Sequence, residues 1–530
     1  MPLSNAFHQA LIFFPMTVLH QHAGTLAELI LSSTQRYADR VAFEDDTARI
    51  TYGELRTQIY QCAHYLESLG LQPGDAVAQL ATNRYEFFAL AIAIYIKGLV
   101  SVTLHSTGSA ADHAYIVANC KAKAFVFDSS YRERADHLRQ HCPGLRTLVA
   151  LGECAGYDNM LAALHQQPAT PLPVLGEAET IVRIAYTGGT TGKPKGVMLS
   201  NRALATNALI DLAVKGFPAD MRYLCVAPIT HGGGSVILPT LIAGGRVTLL
   251  KKFSPDAFFD ALEKYDCNTT WVVPTMLYAL LDSPRAQTHD WSRFECLVYS
   301  AAPTIPARIR QAMELIGPKL VQSYGQTESP NSIFILSKHD HLTLARQGDI
   351  TATGRASPFL SVAILDDAGH PVPQGERGEV CVRGPLVMSG YYELPEETAK
   401  ALQGDWLHTG DVAYQDAQGF YHIVDRKKDM IISGGFNVYP KEVEDVIGAH
   451  PDVASVAVVG LPDAKWGELV TACIVPKAGA QIDAEQIKLL VKDEKGAVAA
   501  PKRVDVLERL PLTALGKIDK KQLRLHLAQA

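Results

Sequence analysis

The sequence predicts an α/β fold, followed along the chain by an antiparallel region and then by a further unit with its own helices and strands. Between about residues 50 and 300, helix-like stretches alternate with short β-branched runs, as where 54–69 precedes 76–80. Such alternation is typical of α/β units with buried, largely parallel sheets. After about residue 350, short strands are separated by Gly, Pro and Asp turns, which indicates a small antiparallel barrel.

The individual elements follow the same pattern. The predicted helices 84–96 and 258–265 are followed by the predicted strands 99–104 and 270–273, and the later short strands are 361–365, 378–382 and 420–424. The longest uninterrupted apolar run, 87–96, is too short to cross a bilayer and fits a buried helix.

Composition excludes several classes of protein. The chain of 530 residues has 49 Lys and Arg against 55 Asp and Glu, so a net charge of -6 gives no electrostatic reason to expect nucleic acid as a partner. A hydrophobic share of 47% excludes a disordered chain. The nine cysteines form no CxxC pair, and the apolar segment before residue 20 lacks a basic start. We therefore expect a cytoplasmic protein without a membrane span.

The strongest local signal is the Gly- and Thr-rich segment 186–196, which follows the strand-like residues 181–185. Glycines let backbone N–H groups approach phosphate oxygens, hydroxyls donate hydrogen bonds, and lysines supply charge. The segment is neither a Walker A loop nor a GxGxxG turn. The predicted phosphate-binding residues are Thr187, Gly188, Gly189, Thr190, Thr191, Gly192 and Lys195.

This segment resembles the phosphate loop of the adenylate-forming superfamily, which comprises acyl- and aryl-CoA synthetases, nonribosomal adenylation domains and luciferases. Further motifs follow in the family's order across about residues 20–525, and the likeness is closest to a free-standing acyl- or aryl-CoA ligase. The resemblance implies ATP-dependent formation of an acyl adenylate with Mg²⁺, and transfer of the acyl group to a thiol. It also implies a domain 1–427, with stacked α/β subdomains and a barrel-like subdomain, before a mobile α+β domain 428–530.

The segment 322–328 resembles the family's adenine- and magnesium-binding motif. By that resemblance Glu328 is the magnesium ligand, Thr327 contacts phosphate, and both are catalytic. Taken alone, a Thr-Glu pair is more often a helix cap. The same motif, together with the small-residue segment 300–303, implies a set of nucleotide-binding residues, namely Gln322, Tyr324, Gly325, Ser300, Ala301, Ala302 and Pro303. The family often has Gly where Ser300 and Ser323 stand, so both hydroxymethyl groups are expected beside the acyl pocket.

Three further motifs complete the resemblance. Asp411 is the expected ribose ligand, since a carboxylate can accept from two vicinal hydroxyls, and Arg426 is its expected partner. Lys428 is the expected hinge, and Gly434 and Gly435 are expected to line the CoA channel. From composition alone, the charged segment 425–429 is equally well explained as a solvated surface turn.

Lys517 occupies the place of the family's transfer lysine. The resemblance implies that its ammonium bridges the carboxylate and the α-phosphate, where charge develops during adenylation. The alternative for an isolated lysine on a glycine turn is a surface residue. An intact Lys517 also argues against a non-catalytic nucleotide-binding regulator.

His231, Gly232 and Gly233 stand where the family places its acyl pocket, and His231 is expected to gate it or contact the carboxylate. No Asp lies between residues 224 and 239 to pair with an amino acid's ammonium, so a hydrophobic acid (aromatic, alicyclic or aliphatic) is expected. The glycines are expected to leave room for it, although they could simply form a turn. CoA is the expected acceptor, with a carrier protein's phosphopantetheine as the alternative, and the oligomeric state stays open.

The segment 338–341 contains two histidines and could suggest a metal site. Two histidines without other ligands are more often part of a solvated loop, so a loop is expected here.

Overall fold

A computed structural model describes residues 24–187, 193–513 and 517–529. Residues 1–23, which include the apolar segment before residue 20, therefore lie outside the described residues. So do five of the predicted phosphate ligands, Gly188, Gly189, Thr190, Thr191 and Gly192. Within the described ranges, the strands form four sheets of nine, eight, five and five strands.

The strands, in chain order, are β1 (Val41–Glu44), β2 (Arg49–Thr51), β3 (Ala76–Leu80), β4 (Val100–Thr103), β5 (Ala124–Asp128), β6 (Thr147–Leu151), β7 (Asp158–Asn159), β8 (Ile181–Thr187), β9 (Lys195–Ser200), β10 (Arg222–Cys225), β11 (Arg246–Leu249), β12 (Thr269–Val272), β13 (Cys296–Ser300), β14 (Leu320–Gln326), β15 (Ser329–Leu336), β16 (Arg355–Ala356), β17 (Ser361–Leu365), β18 (Gly378–Arg383), β19 (Gly390–Tyr391), β20 (Leu402–Gln403), β21 (Trp406–Gln415), β22 (Tyr421–Arg426), β23 (Ile431–Ser433), β24 (Phe436–Val438), β25 (Val453–Asp463), β26 (Gly467–Pro476) and β27 (Arg503–Val506).

The α-helices are α1 (Leu26–Arg36), α2 (Tyr52–Ser68), α3 (Tyr85–Ile96), α4 (Ala110–Asn119), α5 (Arg132–His141), α6 (Met160–Leu164), α7 (Asn201–Val214), α8 (Gly232–Ser235), α9 (Ile237–Ile242), α10 (Pro255–Lys264), α11 (Pro274–Leu281), α12 (Pro284–Thr288), α13 (Pro306–Ile316), α14 (Lys338–Arg346), α15 (Pro395–Ala401), α16 (Pro440–Gly448), α17 (Ala484–Ala499, interrupted at Gly496) and α18 (Lys520–Gln529). Two short 3₁₀ turns span Ser129–Tyr131 and Trp291–Arg293.

The predicted parallel sheets are confirmed, and they have antiparallel edges. The nine-stranded sheet has the order β16-β15-β14-β13-β12-β10-β11-β1-β2, and the ladders from β14 to β1 are parallel. The eight-stranded sheet has the order β19-β9-β8-β4-β3-β5-β6-β7, with parallel ladders from β8 to β7. The carboxyl ends of the parallel strands are where ligands bind in such sheets.

The two smaller sheets lie later in the chain. The antiparallel region expected after residue 350 is confirmed as a five-stranded sheet with the path β17-β18-β21-β20 and β22 on the other side of β21. The last sheet contains β23 to β27 and packs against α16 and α17, so the C-terminal part has a core of its own. The division between residues 427 and 428 stays a prediction.

The apolar run 87–96 lies within α3, whose N-terminal residue is Tyr85, and is buried, as predicted. The segment 338–341 is a correction: it begins α14 rather than forming a loop, and Ser337 and Asp340 make a capping box there. His341 is buried, with one ring nitrogen beside the Tyr299 hydroxyl and the other beside the Ser337 carbonyl. It therefore serves packing rather than a metal.

None of the helices in the described ranges is long and apolar enough to cross a membrane. All nine cysteines lie within those ranges and are free thiols.

Candidate active site

Asp411, the expected ribose ligand, is held by two neighbours. It lies on β21 directly opposite Arg426 on β22, so the hairpin explains how residues fifteen apart in sequence come together. One carboxylate oxygen pairs with the Arg426 Nε at 3.0 Å, and the other accepts from the Tyr324 hydroxyl at 2.5 Å. Burial and the Asp411 charge raise the pKa of Tyr324 well above its usual value. The hydroxyl therefore stays a donor, and each Asp411 oxygen keeps a further lone pair for a ligand.

A local irregularity in β21 presents Asp411. Between the pairs Glu379–Val412 and Cys381–His408 the ladder shifts register, and Thr409 and Gly410 lie in the interruption. Side chains replace the missing ladder bonds: the Thr409 hydroxyl donates to the Val380 carbonyl at 2.7 Å, and Gly410 N–H donates to Glu379 Oε1 at 2.9 Å. Gly410 has a φ of 72°, a conformation that favours glycine. The bulge is a built feature, as bulges beside active sites often are.

Glu379 is also approached by two other groups. Its second oxygen lies 3.2 Å from His408 Nδ1 and 3.8 Å from the Lys427 ammonium. The Cys381 thiol lies 3.5 Å from the same histidine nitrogen. Glu379, Cys381 and His408 therefore have the donor types and spacing of a metal site. Since Glu379 also accepts from Gly410 N–H, we interpret the cluster as support for the bulge.

Thr327 and Glu328 form the two-residue connection between β14 and β15, so the helix-cap alternative is wrong. Glu328 Oε1 accepts a hydrogen bond from the Tyr391 hydroxyl at 2.8 Å, which fixes the carboxylate at the tip of the hairpin. The other oxygen is left for a hard cation, with phosphates and water completing the shell. The position and chemistry of Glu328 therefore fit Mg²⁺, and its role as a ligand stays a prediction.

Thr187 ends β8 at the start of the phosphate loop, and Lys195 begins β9 on the other side of it. The two strands pair antiparallel, with Thr187 opposite Lys195. The Lys195 ammonium is paired with the Glu397 carboxylate and lies 5.1 Å from the centre of the Tyr391 ring. Its expected phosphate contact would require it to exchange this partner.

The two serines found where the family often has glycine lie side by side. Ser300 on β13 is opposite Ser323 on β14, and both are buried. The Ser300 hydroxyl donates to the Ser323 carbonyl at 2.5 Å, and the Ser323 hydroxyl donates to the Asn331 carbonyl. Both hydroxyls therefore donate to backbone carbonyls of the sheet rather than to a ligand. These hydrogen bonds explain why serine occurs at both positions, and no local sequence pattern indicates them.

The residues that follow β13 carry backbone strain. Ala301 has a φ of 78°, which a residue with a Cβ rarely adopts, and Ala302 and Pro303 continue the loop toward α13. Strained loops of this kind cluster at ligand sites. On the neighbouring strand, Gln322 accepts from the Tyr299 hydroxyl at 2.9 Å. A Cβ on Gly325 would lie 2.6 Å from the Asn331 backbone nitrogen, so this glycine is required by packing.

His231 precedes α8 and is half-buried, and desolvation by the surrounding protein lowers its pKa well below the usual range. The glycines after it pack closely against their surroundings. A Cβ on Gly232 would lie 2.2 Å from the Trp271 ring, and one on Gly233 would lie 2.3 Å from the Ala227 carbonyl oxygen. The glycines lie in α8 rather than in a turn, and close packing explains why glycine occurs here, whereas the roomy pocket inferred from them has no support. Their place in the acyl site stays a prediction.

Lys428 is exposed in a turn that closes on Arg426, whose carbonyl accepts from Asp429 N–H at 2.9 Å. The neighbouring Asp425 reaches across to the C-terminal part, where it accepts from Lys441 N–H at 2.9 Å at the start of α16. This is the position expected of a hinge.

Gly434 and Gly435 form the turn between β23 and β24, with φ values of 60° and 81°. Two successive residues with positive φ match a type I′ hairpin turn, which explains both glycines locally. Gly434 N–H also donates to the Trp466 carbonyl at 2.7 Å. That Gly434 and Gly435 line the CoA channel stays a prediction.

Lys517 is brought to the nucleotide side of the site. Its loop is closed by Thr513 N–H, which donates to the Lys517 carbonyl at 2.7 Å. Burial lowers the pKa of Lys517 to about 8; the charge of Arg426 lowers it too, while Asp411 and Glu328 act in the opposite direction. The ammonium therefore lies within electrostatic range of Arg426, Asp411 and Glu328, three residues expected at the nucleotide site.

Sequence reasoning missed some of the residues that build this site. Tyr391 holds Glu328, and Arg183 donates to the Thr230 carbonyl at 2.8 Å beside His231. Tyr391 lies on β19, which pairs with the phosphate strand β9. A Gly-Tyr-Tyr run is the only local signal, and it does not indicate which strand it joins.

Comparison with known proteins agrees with this geometry. The AMP-binding enzyme family profile matches residues 31–392, and the profile of the AMP-binding enzyme C-terminal domain matches residues 442–517. The chain belongs to the AMP-binding enzyme family. It is an AMP-forming acid–thiol ligase of the adenylate-forming superfamily, close to its free-standing acyl- and aryl-CoA ligases, as the sequence motifs predicted.

The relatives of this AMP-binding enzyme span almost its whole length. It is 41% identical to the medium/long-chain-fatty-acid–CoA ligase FadD8 of Mycobacterium tuberculosis, over 94% of this chain and 89% of that protein. It is 35% identical to a feruloyl-CoA synthase of an Amycolatopsis species, over 90% and 93% of the two chains. The solved amide bond synthetase McbA of Marinactinospora thermotolerans superposes with a TM-score of 0.87 and 36% identity, covering 94% of this chain and 99% of that one.

Proposed function

We propose that this enzyme joins a hydrophobic carboxylic acid to CoA through an acyl adenylate, and converts ATP to AMP and pyrophosphate. The observation that carries the proposal is the position of Lys517, which feels the charges of Arg426, Asp411 and Glu328. The ammonium is close enough to the expected ribose ligand Asp411 and the candidate magnesium ligand Glu328 to respond to their charges, which supports the proposal. In that arrangement the first half-reaction can proceed.

In the first step, a carboxylate oxygen of the acid attacks the α-phosphorus of ATP, and the bond to pyrophosphate breaks. Asp411 orients the ribose, while the Lys517 ammonium faces the oxygens on which charge develops. Bound Mg²⁺ would neutralise the phosphates, and Glu328 is the residue placed to hold it. The adenylate and pyrophosphate together carry all the atoms of the acid and ATP.

In the second step, the CoA thiol loses its proton and attacks the acyl carbon, and AMP leaves with the bonding electrons. We propose that the part after residue 428 turns about Lys428 between the two steps, which withdraws Lys517. The exposed Gly434–Gly435 turn is then free to border the channel for CoA. The boundary between domains 1–427 and 428–530 is part of this proposal.

The class of acid follows from the relatives and the local chemistry. FadD8 is named for fatty acids and the Amycolatopsis enzyme for ferulate, so both named substrates are hydrophobic carboxylic acids. The segment 228–234 offers no carboxylate for a substrate ammonium, and Gly232 packs on the indole of Trp271. These observations favour an apolar acid over an amino acid.

A second candidate is amide formation, in which an amine replaces the thiol as nucleophile. The likeness to the amide bond synthetase McbA, at 36% identity, favours testing it. The carrier-protein thiol of the sequence analysis is a third acceptor with the same chemistry as CoA.

The test is mass spectrometry of the purified enzyme with ATP, Mg²⁺ and a pool of fatty and aromatic acids. CoA, a primary amine and a phosphopantetheinylated carrier protein are supplied in separate reactions. Acyl-CoA together with AMP would support the proposal and rank the acids. Amide alone would favour the second candidate, acyl carrier protein alone the third, and no AMP with any acid would contradict adenylation of this class.

A further inference from the structure

A second half-buried histidine lies against His231. The ring centres of His105 and His231 are 4.4 Å apart with an edge-to-face tilt of 65°. His105 follows β4 of the eight-stranded sheet, and His231 follows β10 of the nine-stranded sheet. The pair therefore bridges the two sheets at the carboxyl ends of their strands.

The register of the strands places His105 near the phosphate loop. Ser101 on β4 is opposite Arg183 on β8, and His105 and Thr187 each lie four residues further along these parallel chains. Thr187 is the last described residue before the loop. His105 thus lies at the level where the α-phosphate is expected, and His231 lies beside it on the acyl side.

The tautomer of His105 is fixed by its neighbours. The Thr107 backbone N–H donates to His105 Nδ1 at 3.2 Å, so this nitrogen carries a lone pair. Burial lowers the pKa of His105 to about 4, so the ring is neutral at pH 7 and its proton is on Nε2. Within the described part of the chain, no residue accepts a hydrogen bond from this N–H.

The seam between the sheets is otherwise tightly bonded. Arg183 donates to the Thr230 carbonyl at 2.8 Å and to the Thr103 hydroxyl at 3.3 Å, and the Thr230 hydroxyl lies 2.7 Å from His231 Nδ1. The His105 carbonyl is itself fixed by His113 Nε2 at 2.9 Å. The position of His105 is therefore well determined, while its Nε2–H remains available.

We propose that His105 is a further substrate-binding residue, whose Nε2–H donates a hydrogen bond to the carboxyl end of the acid beside His231. This rests on the proposed function. A carboxylate oxygen is a strong acceptor, and the same oxygen becomes the carbonyl or bridging oxygen of the adenylate. An uncharged donor can bind both forms, so the contact persists through the first step.

The test compares His105→Phe, which keeps a planar ring but removes the donor, with His105→Gln, which restores an N–H. His141→Phe is the matched control, because that histidine is exposed at the end of α5. Pyrophosphate exchange with decanoate or ferulate gives KM for the acid and for ATP separately. Calorimetric titration of decanoate into the enzyme with AMP repeats the comparison without turnover.

We expect His105→Phe to raise KM for the acid roughly threefold to tenfold, with KM for ATP and the melting temperature nearly unchanged. His105→Gln should recover most of the loss. An unchanged KM for the acid in His105→Phe, or equal losses in both variants, would overturn the contact while leaving the ligase function intact. A wild-type enzyme that neither exchanges nor binds any acid would instead overturn the proposed function, and the contact with it.

Discussion

The surroundings of Asp411, the expected ribose ligand, and of Lys517 hold these two residues in opposite ways. Asp411 is 4% exposed, and its two oxygens are engaged by Arg426 and Tyr324. By contrast, in the described part of the chain the hydrogen bonds of Thr513 and Lys517 stay within the loop 511–519. The Asp411 side chain is fixed by its partners Arg426 and Tyr324, whereas Lys517 is positioned by charge and burial.

This difference has a consequence for catalysis. A preorganised ligand costs little reorganisation when the nucleotide binds, which suits a residue needed in both half-reactions. A lysine whose hydrogen bonds, among the described residues, stay within its own segment can be withdrawn without breaking the contacts of Asp411. The comparison therefore predicts separable effects of mutation on the two half-reactions.

Lys517→Ala should produce the largest effect. Loss of the ammonium removes electrostatic stabilisation of the transition state, and we expect adenylation to slow by about 10²–10³-fold. Conversion of a supplied acyl adenylate and CoA to thioester should stay within about twofold, because Lys517 is not needed there. Pyrophosphate exchange and a single-turnover thioester assay measure the two steps. Equal loss in both would contradict the separation, and the exposed Lys521→Ala is the control.

Asp411→Asn should affect both half-reactions, because the ribose is bound in each. The variant keeps the size of the side chain but removes the charge opposite Arg426, and we expect KM for ATP to rise about tenfold to a hundredfold. The control is Asp405→Asn at an exposed turn before the same strand. If only adenylation were impaired, Asp411 would be needed in one half-reaction only, as is expected of Lys517, and the contrast between the two residues would be wrong.

The pH dependence of adenylation should report Lys517. Its pKa is lowered to about 8, so the ammonium is present below that pH and is lost as the pH rises through it. We expect kcat/KM for ATP to fall about tenfold per pH unit above that point, since this parameter reports groups of the free enzyme. Lys517→Arg should remove the alkaline limb, because a guanidinium does not titrate in this range. An identical limb in that variant would assign it to another group.

The sequence was sufficient for some of these features and not for others. Thr187, Lys517 and Asp411 lie in motifs whose spacing is local, so their roles could be predicted without coordinates, and they stay predictions. The pairing of Asp411 with Tyr324 joins residues 87 positions apart and depends on sheet topology. The glycines after His231 show the opposite error, since their composition suggested an open pocket and their packing shows contact with Trp271.

The fold was predicted on the same basis. Alternating helices and strands indicate parallel sheets, because each crossover needs a helix between two buried strands. The order of the strands, and the division of this region between two sheets, come from contacts that leave no local pattern. The same holds for His105 and His231, which lie 126 positions apart and meet where the two sheets join.

Mutation of Glu379 should have an intermediate effect on KM for ATP, because Glu379 stabilises the bulge that positions Asp411. Glu379→Ala leaves the partly buried Gly410 N–H without its acceptor at the bulge. We expect KM for ATP to rise about threefold to tenfold through displacement of Asp411. Glu379→Gln retains an acceptor and should fall between Ala and wild type. If Gln were as damaging as Ala, the charge facing Lys427 would matter more than the bond to Gly410.

Arg377 tests the smallest contribution, the contact between the two parts of the chain. Its guanidinium lies 2.8 Å from Glu442 on α16 and 4.7 Å from the centre of the Tyr439 ring. Both charged side chains are about one-third exposed or more, so the pair should contribute only about 0.5–1 kcal/mol. The proposed rotation about Lys428 would separate Arg377 from Glu442, so the contact should favour adenylation over thioester formation.

Arg377→Ala should therefore lower the ratio of the adenylation rate to the thioester rate by about twofold to fivefold, without changing KM for the acid. The effect should shrink when the salt concentration is raised to about 1 M, where surface charges are screened within roughly 3 Å. Glu442→Gln should reproduce the shift, because it removes the other charge of the pair. A ratio unchanged in both variants would mean that the loop is positioned by burial and by the Lys517 charges alone.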